Sequence, residues 1–208
     1  MSDSGFDVIK LFVTKDFYHK NEAKLSKLSG VLTVTEQQFV ESAGTFKTNA
    51  AGLAIVKMKR PEFEVKNSEW ILALDRIQDP GNLGTIIRTA DWFGISKVVC
   101  SPDTVDFYNP KVINATMGSF SRVDVYYKSL EKWLAAASLP VYGALLEGDS
   151  IYNLNNSQPG VILMGNESKG ISDQLKNLVS QPVHIPRKGG AESLNVAIAT
   201  GILCAHFC

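Results

Sequence analysis

The chain has 208 residues, of which 45% are hydrophobic, so it is long enough for one or two domains with a sizeable buried core. Its 21 lysine and arginine residues balance its 21 aspartate and glutamate residues. This balance argues against a protein that grips nucleic acid by bulk charge alone, although it allows a local basic surface because charge can be segregated by face.

Residues 1–60 predict a small α/β unit, with Asp16 as the candidate N-cap of its first helix. The apolar pattern places strands at 8–13, 31–34 and 52–59, and helices at 16–28 and 36–42. Residues 61–68 are charged and contain a proline, which is typical of a linker.

Residues 69–208 predict a second unit in which strands and helices alternate. Predicted strands cover 70–74, 97–100, 123–126, 141–145, 161–164 and 183–185, and predicted helices cover 82–93, 110–117, 129–137, 172–179 and 193–207. This alternation indicates an α/β fold with a mostly parallel sheet covered on both faces. Ligands of such folds bind beyond the carboxyl ends of the strands.

The first loop at that edge spans residues 75–88, with the sequence DRIQDPGNLGTIIR. Asn82 is expected to cap the following helix, and Gly84 to allow close approach of a backbone or a ligand. Arg88 lies on the second turn, where it is either a site residue or a surface arginine of an amphipathic helix.

The second loop, residues 165–172 (GNESKGIS), follows an apolar strand. One interpretation is an ordinary strand-to-helix turn capped by Ser172. The other is a tight loop whose backbone groups bind a polar ligand while Glu167 points into a site.

The third loop, residues 185–195 (IPRKGGAESLN), precedes the last helix. Ser193 is its simplest candidate N-cap, which leaves Asn195, a mediocre helix residue, unexplained. Arg187 and Lys188 either add positive charge to a site at this loop or are surface charges that contact only solvent.

The sequence lacks the motifs that are typical of dinucleotide, nucleoside-triphosphate and metal sites. The G-x-G-x-x-G fingerprint is missing, which argues against a dinucleotide-dependent oxidoreductase, and no loop contains a phosphate-cradling Walker sequence. The three histidines have no metal-ligand spacing. Cys204 and Cys208 make a metal pair conceivable, but free cysteine commonly acts as a small hydrophobe, so no metal is expected.

Cellular location is predicted from what the sequence lacks. Three widely spaced cysteines indicate no disulfide framework and fit a reducing cytosol. The N-terminus has no basic region followed by an apolar run, and no stretch of about 18 apolar residues could span a membrane. A cytoplasmic protein without a membrane partner is expected.

Together the three loops resemble the motifs of the SpoU (TrmH-type) family of SPOUT RNA methyltransferases. The first motif is matched by Asn82, Gly84, Arg88, Thr89, Ala90, Phe93 and Gly94. The second is matched by Gly165, Glu167 and Gly170, and the third by Ile185, Pro186, Ser193, Leu194, Asn195 and Val196. Any one motif is weakly specific, but all three in this order are highly specific.

The resemblance covers about residues 70–208 and implies a methyltransferase domain with a C-terminal trefoil knot, usually dimeric, with the active site near the dimer interface. Residues 1–60 are similar to the second half of a ribosomal-protein-like RNA-binding domain without its opening strand and helix. The expected organisation is therefore a small, incomplete RNA-binding-like domain (1–60), a linker (61–68) and a knotted domain (69–208).

The resemblance also implies an activity: transfer of a methyl group from S-adenosylmethionine to a ribose 2′-hydroxyl in structured RNA, with ribosomal RNA favoured over transfer RNA. The alternative is a catalytically silent RNA-binding or ribosome-assembly protein of the same fold, which would be expected to lose Arg88, Asn195 or the cofactor loops.

The resemblance assigns roles to individual residues. Arg88 either clamps RNA phosphate and lowers the pKa of the hydroxyl, or abstracts the proton itself, which would need an unusual environment because arginine is almost always protonated. Asn82 orients Arg88 or the ribose, and Glu167 orients neighbouring groups, while Ser193 and Asn195 shape the site. The expected cofactor contacts are Leu163, Gly165, Asn166, Ile185, Ser193, Leu194 and Asn195. The candidate RNA contacts are Arg76, Arg88, Lys169, Arg187 and Lys188.

Overall fold

The computed structural model describes residues 5–59, 61–154 and 158–208. The chain forms two compact units, an N-terminal unit (Met1–Glu62) and a C-terminal unit (Phe63–Cys208). The first four residues, where the sequence predicts no signal peptide, and residue 60, the last of the predicted first domain, lie outside the described residues.

The described part of the N-terminal unit contains a three-stranded sheet and two α-helices. Its elements are β1 (Val8–Thr14), α1 (Lys15–Leu25), a 3-10 helix (Ser26–Val31), β2 (Leu32–Thr35), α2 (Gln37–Ala43) and β3 (Gly52–Val56). The strand order is β2-β1-β3, in which β1 pairs in parallel with β2 and antiparallel with β3. Leu11, Val13 and Leu25 form the buried apolar cluster of this unit.

Helix α1 begins earlier than expected. Its N-cap is Thr14, whose Oγ1 accepts a hydrogen bond of 3.3 Å from the backbone N–H of Phe17. The prediction of Asp16 as the cap is therefore wrong, because Asp16 already lies in the first turn, where its charge complements the helix dipole.

The C-terminal unit contains a six-stranded sheet. Its strands are β4 (Ile71–Leu74), β5 (Lys97–Cys100), β6 (Asp124–Tyr127), β7 (Val141–Ser150), β8 (Val161–Met164) and β9 (Gln181–His184). Its α-helices are α3 (Pro80–Trp92), α4 (Pro110–Ala115), α5 (Leu130–Ala136), α6 (Asp173–Lys176) and α7 (Val196–Phe207). The strand order is β6-β5-β4-β8-β7-β9, and each described pair is parallel, which confirms the predicted α/β class. The trefoil knot stays a prediction of the resemblance.

Both faces of this sheet are buried. In β4, Leu72 and Leu74 join the apolar cluster that contains the buried side chains of α3 and α7. Ile71 and Ala73 join a second cluster with α5 and α6. Because alternate residues of a strand face opposite sides, helices cover the sheet on both faces and leave its carboxyl edge for a site.

Part of the predicted linker packs on the C-terminal unit. Phe63 and Val65 contact the second apolar cluster. The centroid of the Phe63 ring lies 4.8 Å from that of the Tyr126 ring and 5.7 Å from that of the Trp133 ring. The glutamates beside these two residues are typical of a linker. Because apolar and charged residues alternate along this segment, however, Phe63 and Val65 can face the core while the charged residues face solvent.

The three cysteines form no disulfide bond. Cys100 and Cys204 are buried, whereas Cys208 is exposed, and burial raises the pKa of the Cys100 thiol. The described residues contain no cluster of three or more His, Cys, Asp or Glu side chains that could hold a metal ion. No helix in the described parts combines the length and apolarity needed to cross a membrane.

Helices α3 and α4 touch at Gly84. A Cβ at this position would collide with the Cβ of Ala115 and lie 2.7 Å from the carbonyl oxygen of Val112. We expect Gly84→Ala to lower the free energy of unfolding by about 1–3 kcal/mol, because overpacking outweighs the better helix propensity of alanine. Thermal unfolding should show a melting temperature lower by roughly 2–12 °C.

Gly201 of α7 provides the matched control. The nearest atom to a Cβ there is Thr89 Cγ2 at 4.0 Å, so Gly201→Ala should be neutral or slightly stabilising. Equal melting temperatures for the two variants would contradict the proposed close contact of α3 and α4.

Candidate active site

The loop after β4 is held by a buried carboxylate. Asp75 is 3% exposed, and it accepts hydrogen bonds from the guanidinium of Arg76 (3.0 and 3.1 Å) and from the backbone N–H of Ser172 (2.8 Å). Arg76 adopts a positive φ of 57°, and its backbone N–H donates to Ser101 Oγ at 2.8 Å. Asp75 was not among the predicted site residues, although an acidic residue directly after an apolar strand was the available signal.

Helix α3 is capped by Asp79, not by Asn82. Asp79 Oδ1 accepts from the backbone N–H of Asn82 at 2.8 Å, and Pro80 occupies the first turn. The prediction of Asn82 as the cap is thus wrong, because Asp-Pro already supplies a cap and a first helical residue. The Asn82 side chain is consequently available for other contacts.

The loop after β8 is a closed turn. Asn166 and Gly170 exchange backbone hydrogen bonds of 3.0 and 2.9 Å, and Asn166 Oδ1 accepts from the backbone N–H groups of Ser168 and Lys169. Asn166 Nδ2 donates to the carbonyl of Arg76 at 2.8 Å. This turn is therefore fastened to the loop after β4. Ser172 occupies the N-cap position of α6, but its side chain makes no capping bond.

Helix α7 is capped by Asn195, so the prediction of Ser193 as its N-cap is wrong. Asn195 Oδ1 accepts from the backbone N–H groups of Ala197 (2.9 Å) and Ile198 (3.3 Å). The helix begins at Val196 because residues 193–195 are still in the third loop. Capping therefore explains the mediocre helix residue that the sequence left unexplained.

Three side chains join the three loops. Asn195 Nδ2 donates to Asn82 Oδ1 at 2.9 Å, and Asn82 Nδ2 donates to Glu167 Oε1 at 2.9 Å. We call Asn195, Asn82 and Glu167 the inter-loop chain. It connects residues 113 and 85 positions apart, and both its ends are exposed to solvent. Such a chain fixes the orientation of two amides and a carboxylate that still have hydrogen-bonding capacity for a ligand.

Arg88 lies on the exposed side of α3, two turns beyond the start of the helix. Its guanidinium makes no hydrogen bond or ion pair with any residue that the structure describes. Asn82 therefore does not orient Arg88 directly, since its bonds run along the inter-loop chain. An exposed guanidinium that none of the described residues engages, on the same helix as Asn82, is suited to binding an anion.

The other side chains predicted to contact RNA or the cofactor differ in whether they are exposed and free to bind a ligand. Ser193, Lys169 and Lys188 are exposed and make no side-chain hydrogen bond within the described residues, whereas Arg187 donates to the carbonyl of Ala191 at 3.1 Å. The guanidinium of Arg76 is occupied by Asp75. Among the expected cofactor contacts, Leu163 is buried in β8, Gly165 and Ile185 are partly buried, and Leu194 is 50% exposed.

Comparisons with known proteins identify the family of the chain. The SpoU rRNA Methylase family matches residues 69–205. The 23S rRNA guanosine 2′-O-methyltransferase RlmP of Bacillus subtilis is 36% identical over 150 residues, which cover 70% of this chain and 60% of that protein. The chain spans 50–60% of the length of such curated relatives.

Solved structures extend the likeness to nearly the whole chain. A TrmH-family protein from Porphyromonas gingivalis is 32% identical with a TM-score of 0.82, and the match covers 98% of this chain and 83% of that one. An rRNA methyltransferase from Sinorhizobium meliloti with bound AdoMet is 29% identical with a TM-score of 0.85, and the match covers 99% and 81% of the two chains.

Proposed function

Because the chain belongs to the SpoU rRNA Methylase family, we propose that it transfers a methyl group from S-adenosylmethionine to a ribose 2′-hydroxyl of structured RNA. The observation that carries this proposal is the inter-loop chain, which joins the three motif loops through Asn82, a residue of the helix that also carries the exposed Arg88. Ribosomal RNA is the favoured substrate, since the similar RlmP is named for 23S rRNA. Such an enzyme would work in the cytoplasm, where ribosomes are found.

The residues around the inter-loop chain suit this methyl donor. Ile185 and the half-exposed Leu194 offer an apolar surface for an adenine ring, and the backbone of the partly buried Gly165 is the candidate for its polar edges. Leu163 is fully buried in β8, so it would support this surface from inside the fold. The exposed carboxylate of Glu167 gives the site a negative charge, which suits a cationic sulfonium. Asn166 holds the turn that carries this carboxylate.

When bound, S-adenosylmethionine supplies a methyl group on a positively charged sulfur, which is already an excellent leaving group. The protein must then place the ribose oxygen in line with that methyl group and help its proton to pass to solvent water. Arg88 does this as a cationic clamp: it holds an RNA phosphate and favours the ionised hydroxyl by charge. Asn82, Glu167, Ser193 and Asn195 bind and orient the ribose.

RNA binding relies on shape and on the 2′-hydroxyl, with a few cations as phosphate contacts. Arg88, Lys169 and Lys188 have side chains free for this role among the described residues, and Arg187 lies beside Lys188. Arg76 is a weaker candidate because Asp75 already engages its guanidinium. The N-terminal unit is proposed to add RNA contacts.

We further propose a homodimer that forms through the C-terminal unit. Helix α7 is apolar on most of its surface, and Ile198 is 58% exposed beside the half-exposed Leu194. An exposed apolar patch of this kind is typical of a surface that another chain covers. Leu194 directly precedes Asn195 of the inter-loop chain, so this patch lies next to the site.

The test is calorimetric titration of the full chain with S-adenosylmethionine. We expect binding in the micromolar range, weakened at least about tenfold in Asn195→Ala, which loses both a helix cap and the bond to Asn82. Ser129→Ala is the matched control, because Ser129 caps α5 on the opposite side of the sheet and should affect stability only.

Light scattering on the same samples measures the mass, which should be that of a dimer. A folded protein that binds RNA but no S-adenosylmethionine would overturn the proposed activity and support the silent RNA-binding alternative. Equal loss of binding in both cap variants would show that Asn195 acts through stability alone.

A further inference from the structure

Helix α3 exposes one narrow stripe. Its exposed residues are Gly81, Thr85, Arg88 and Trp92, and the other residues of the helix are partly or fully buried. Spacings of four, three and four residues place these side chains along one side of an α-helix. The stripe therefore begins beside Asn82 and ends at Trp92.

Trp92 is unusual for its exposure. It is 84% exposed, and its ring makes no hydrogen bond, aromatic contact or cation–π contact with any residue in the described part of the chain. Tryptophan is highly buried on average, because its ring offers a large apolar surface. An indole left in solvent on the stripe that carries Arg88 is available for a flat partner.

The charge of the stripe is positive. Asp91, the acidic residue beside Trp92, is already engaged by Arg122 (Nη2–Oδ2 2.6 Å) and by Ser119 Oγ (2.7 Å). The hydrogen bond from Arg122 keeps the pKa of Asp91 below its ordinary value. Arg88 thus remains the uncompensated charge of the stripe.

We propose that Trp92 stacks on an unpaired RNA base next to the nucleotide held at Arg88, so that the stripe binds a single strand. Trp92 lies four residues beyond Arg88, or about 6 Å along the helix, and about 15 Å beyond Asn82. The stacked base therefore belongs to a flanking nucleotide and not to the methylated one. This inference rests on the proposed function for the presence of RNA at Arg88.

RNA fits the stripe better than a second copy of the chain does. The stripe consists of glycine, threonine, arginine and tryptophan, whereas the apolar patch on α7 has aliphatic side chains such as Ile198. A single strand offers both partners that the stripe lacks, an anionic backbone for Arg88 and a flat base for Trp92.

The experiment compares the full chain with Trp92→Ala and Trp92→Phe. Filter binding at low salt measures the affinity for a short single-stranded oligoadenylate and for the same strand in an RNA duplex, since stacking tolerates any base sequence. We expect Trp92→Ala to weaken single-strand binding about 5- to 150-fold and to leave duplex binding unchanged. Trp92→Phe should retain most of the affinity, because it keeps a ring.

Tryptophan fluorescence supplies an independent signature. The single strand should quench the emission of the wild-type protein, and the quenching should disappear in Trp92→Phe but persist in Trp133→Phe, whose indole lies in the second apolar cluster. Unchanged single-strand affinity in Trp92→Ala would overturn the proposal. A dimer that becomes a monomer in this variant without loss of RNA affinity would also overturn it, and would assign Trp92 to an interface between copies.

Calorimetry with S-adenosylmethionine separates this inference from the proposed function. If Trp92 is needed for strand binding but no variant binds S-adenosylmethionine, the stacking role stands and the methyltransferase activity fails. If all variants bind S-adenosylmethionine equally and Trp92→Ala keeps its strand affinity, the activity stands and the stacking role fails.

Discussion

Arg88→Ala is expected to lower the single-turnover rate constant of methyl transfer by about two to four orders of magnitude while S-adenosylmethionine still binds normally. The guanidinium is exposed and unpaired among the described residues, so its removal leaves neighbouring contacts intact and deletes the clamp. Losses of this size are typical when a group that assists proton removal or stabilises developing charge is deleted. Single-turnover methylation of an unmodified ribosomal RNA transcript would measure the effect, with calorimetry for the methyl donor.

Two variants sharpen this test. Arg88→Lys keeps the charge but loses the planar fork of donors, so it should recover only part of the rate if Arg88 acts as a clamp. Lys132→Ala removes an exposed cation from α5, on the opposite side of the sheet, and should leave the rate within a few-fold. A normal rate in Arg88→Ala would remove Arg88 from the proposed mechanism.

The sheet was the easiest part of the molecule to predict. Strands such as β4 and β8 are short apolar runs buried on both faces, and such runs carry a strong signal in the sequence. The prediction for β7 stopped at residue 145, whereas the strand runs Val141–Ser150. Its pairing with β9 is interrupted after Ala144 and resumes at Asp149, and residues 147–150 are Glu-Gly-Asp-Ser, so the apolar signal ends before the strand does.

The helix starts in the site were harder to predict. Each of the first and third loops contains two residues that can cap a helix, and the choice depends on where helical geometry begins. Asp79 was overlooked beside Asn82, although the Asp-Pro pair was a usable local signal. Ser193 and Asn195 are both favourable N-cap residues, and only the start of helical geometry at Val196 decides between them.

The motifs located the site but did not give its connectivity. Sequence order predicts that Asn82, Glu167 and Asn195 meet at one edge of a parallel sheet. It does not reveal that Asn82 bridges the other two, nor that a buried Asp75 fastens the first loop to the second. Those contacts depend on side-chain directions at strand ends, which periodicity does not encode.

Gly165→Ala should produce the second large effect, a loss of both stability and cofactor binding. A Cβ at Gly165 would collide with the carbonyl carbon of Gly170 and the backbone nitrogen of Ile171, and would lie 2.7 Å from the carbonyl oxygen of Gly170. These are backbone atoms of the turn that Asn166 and Gly170 close, so no flexible side chain can move aside. The free energy of unfolding should fall by at least about 1–3 kcal/mol.

The same collision should disrupt the site. Displacing the turn moves Asn166 away from the carbonyl of Arg76 and Glu167 away from Asn82, so the inter-loop chain breaks at its acidic end. Since an error of about 1 Å in a positioned group can cost about 100-fold, we expect a loss of that order in methylation rate together with weakened S-adenosylmethionine binding. Thermal unfolding, calorimetry and single-turnover methylation measure the three effects.

Gly30→Ala is the matched control for this prediction, because a Cβ at Gly30 would meet no atom within 4 Å. It should change neither cofactor binding nor rate. If Gly165→Ala loses binding in proportion to the unfolded fraction alone, the glycine serves only the fold. If it unfolds at the wild-type temperature and binds S-adenosylmethionine normally, the close contact of Gly165 with the Gly170–Ile171 peptide is not needed, and the turn does not hold Glu167 in the site. A folded variant that binds weakly and methylates slowly is the result that the geometry predicts, since it would mean that the turn positions Glu167 and that the inter-loop chain depends on it.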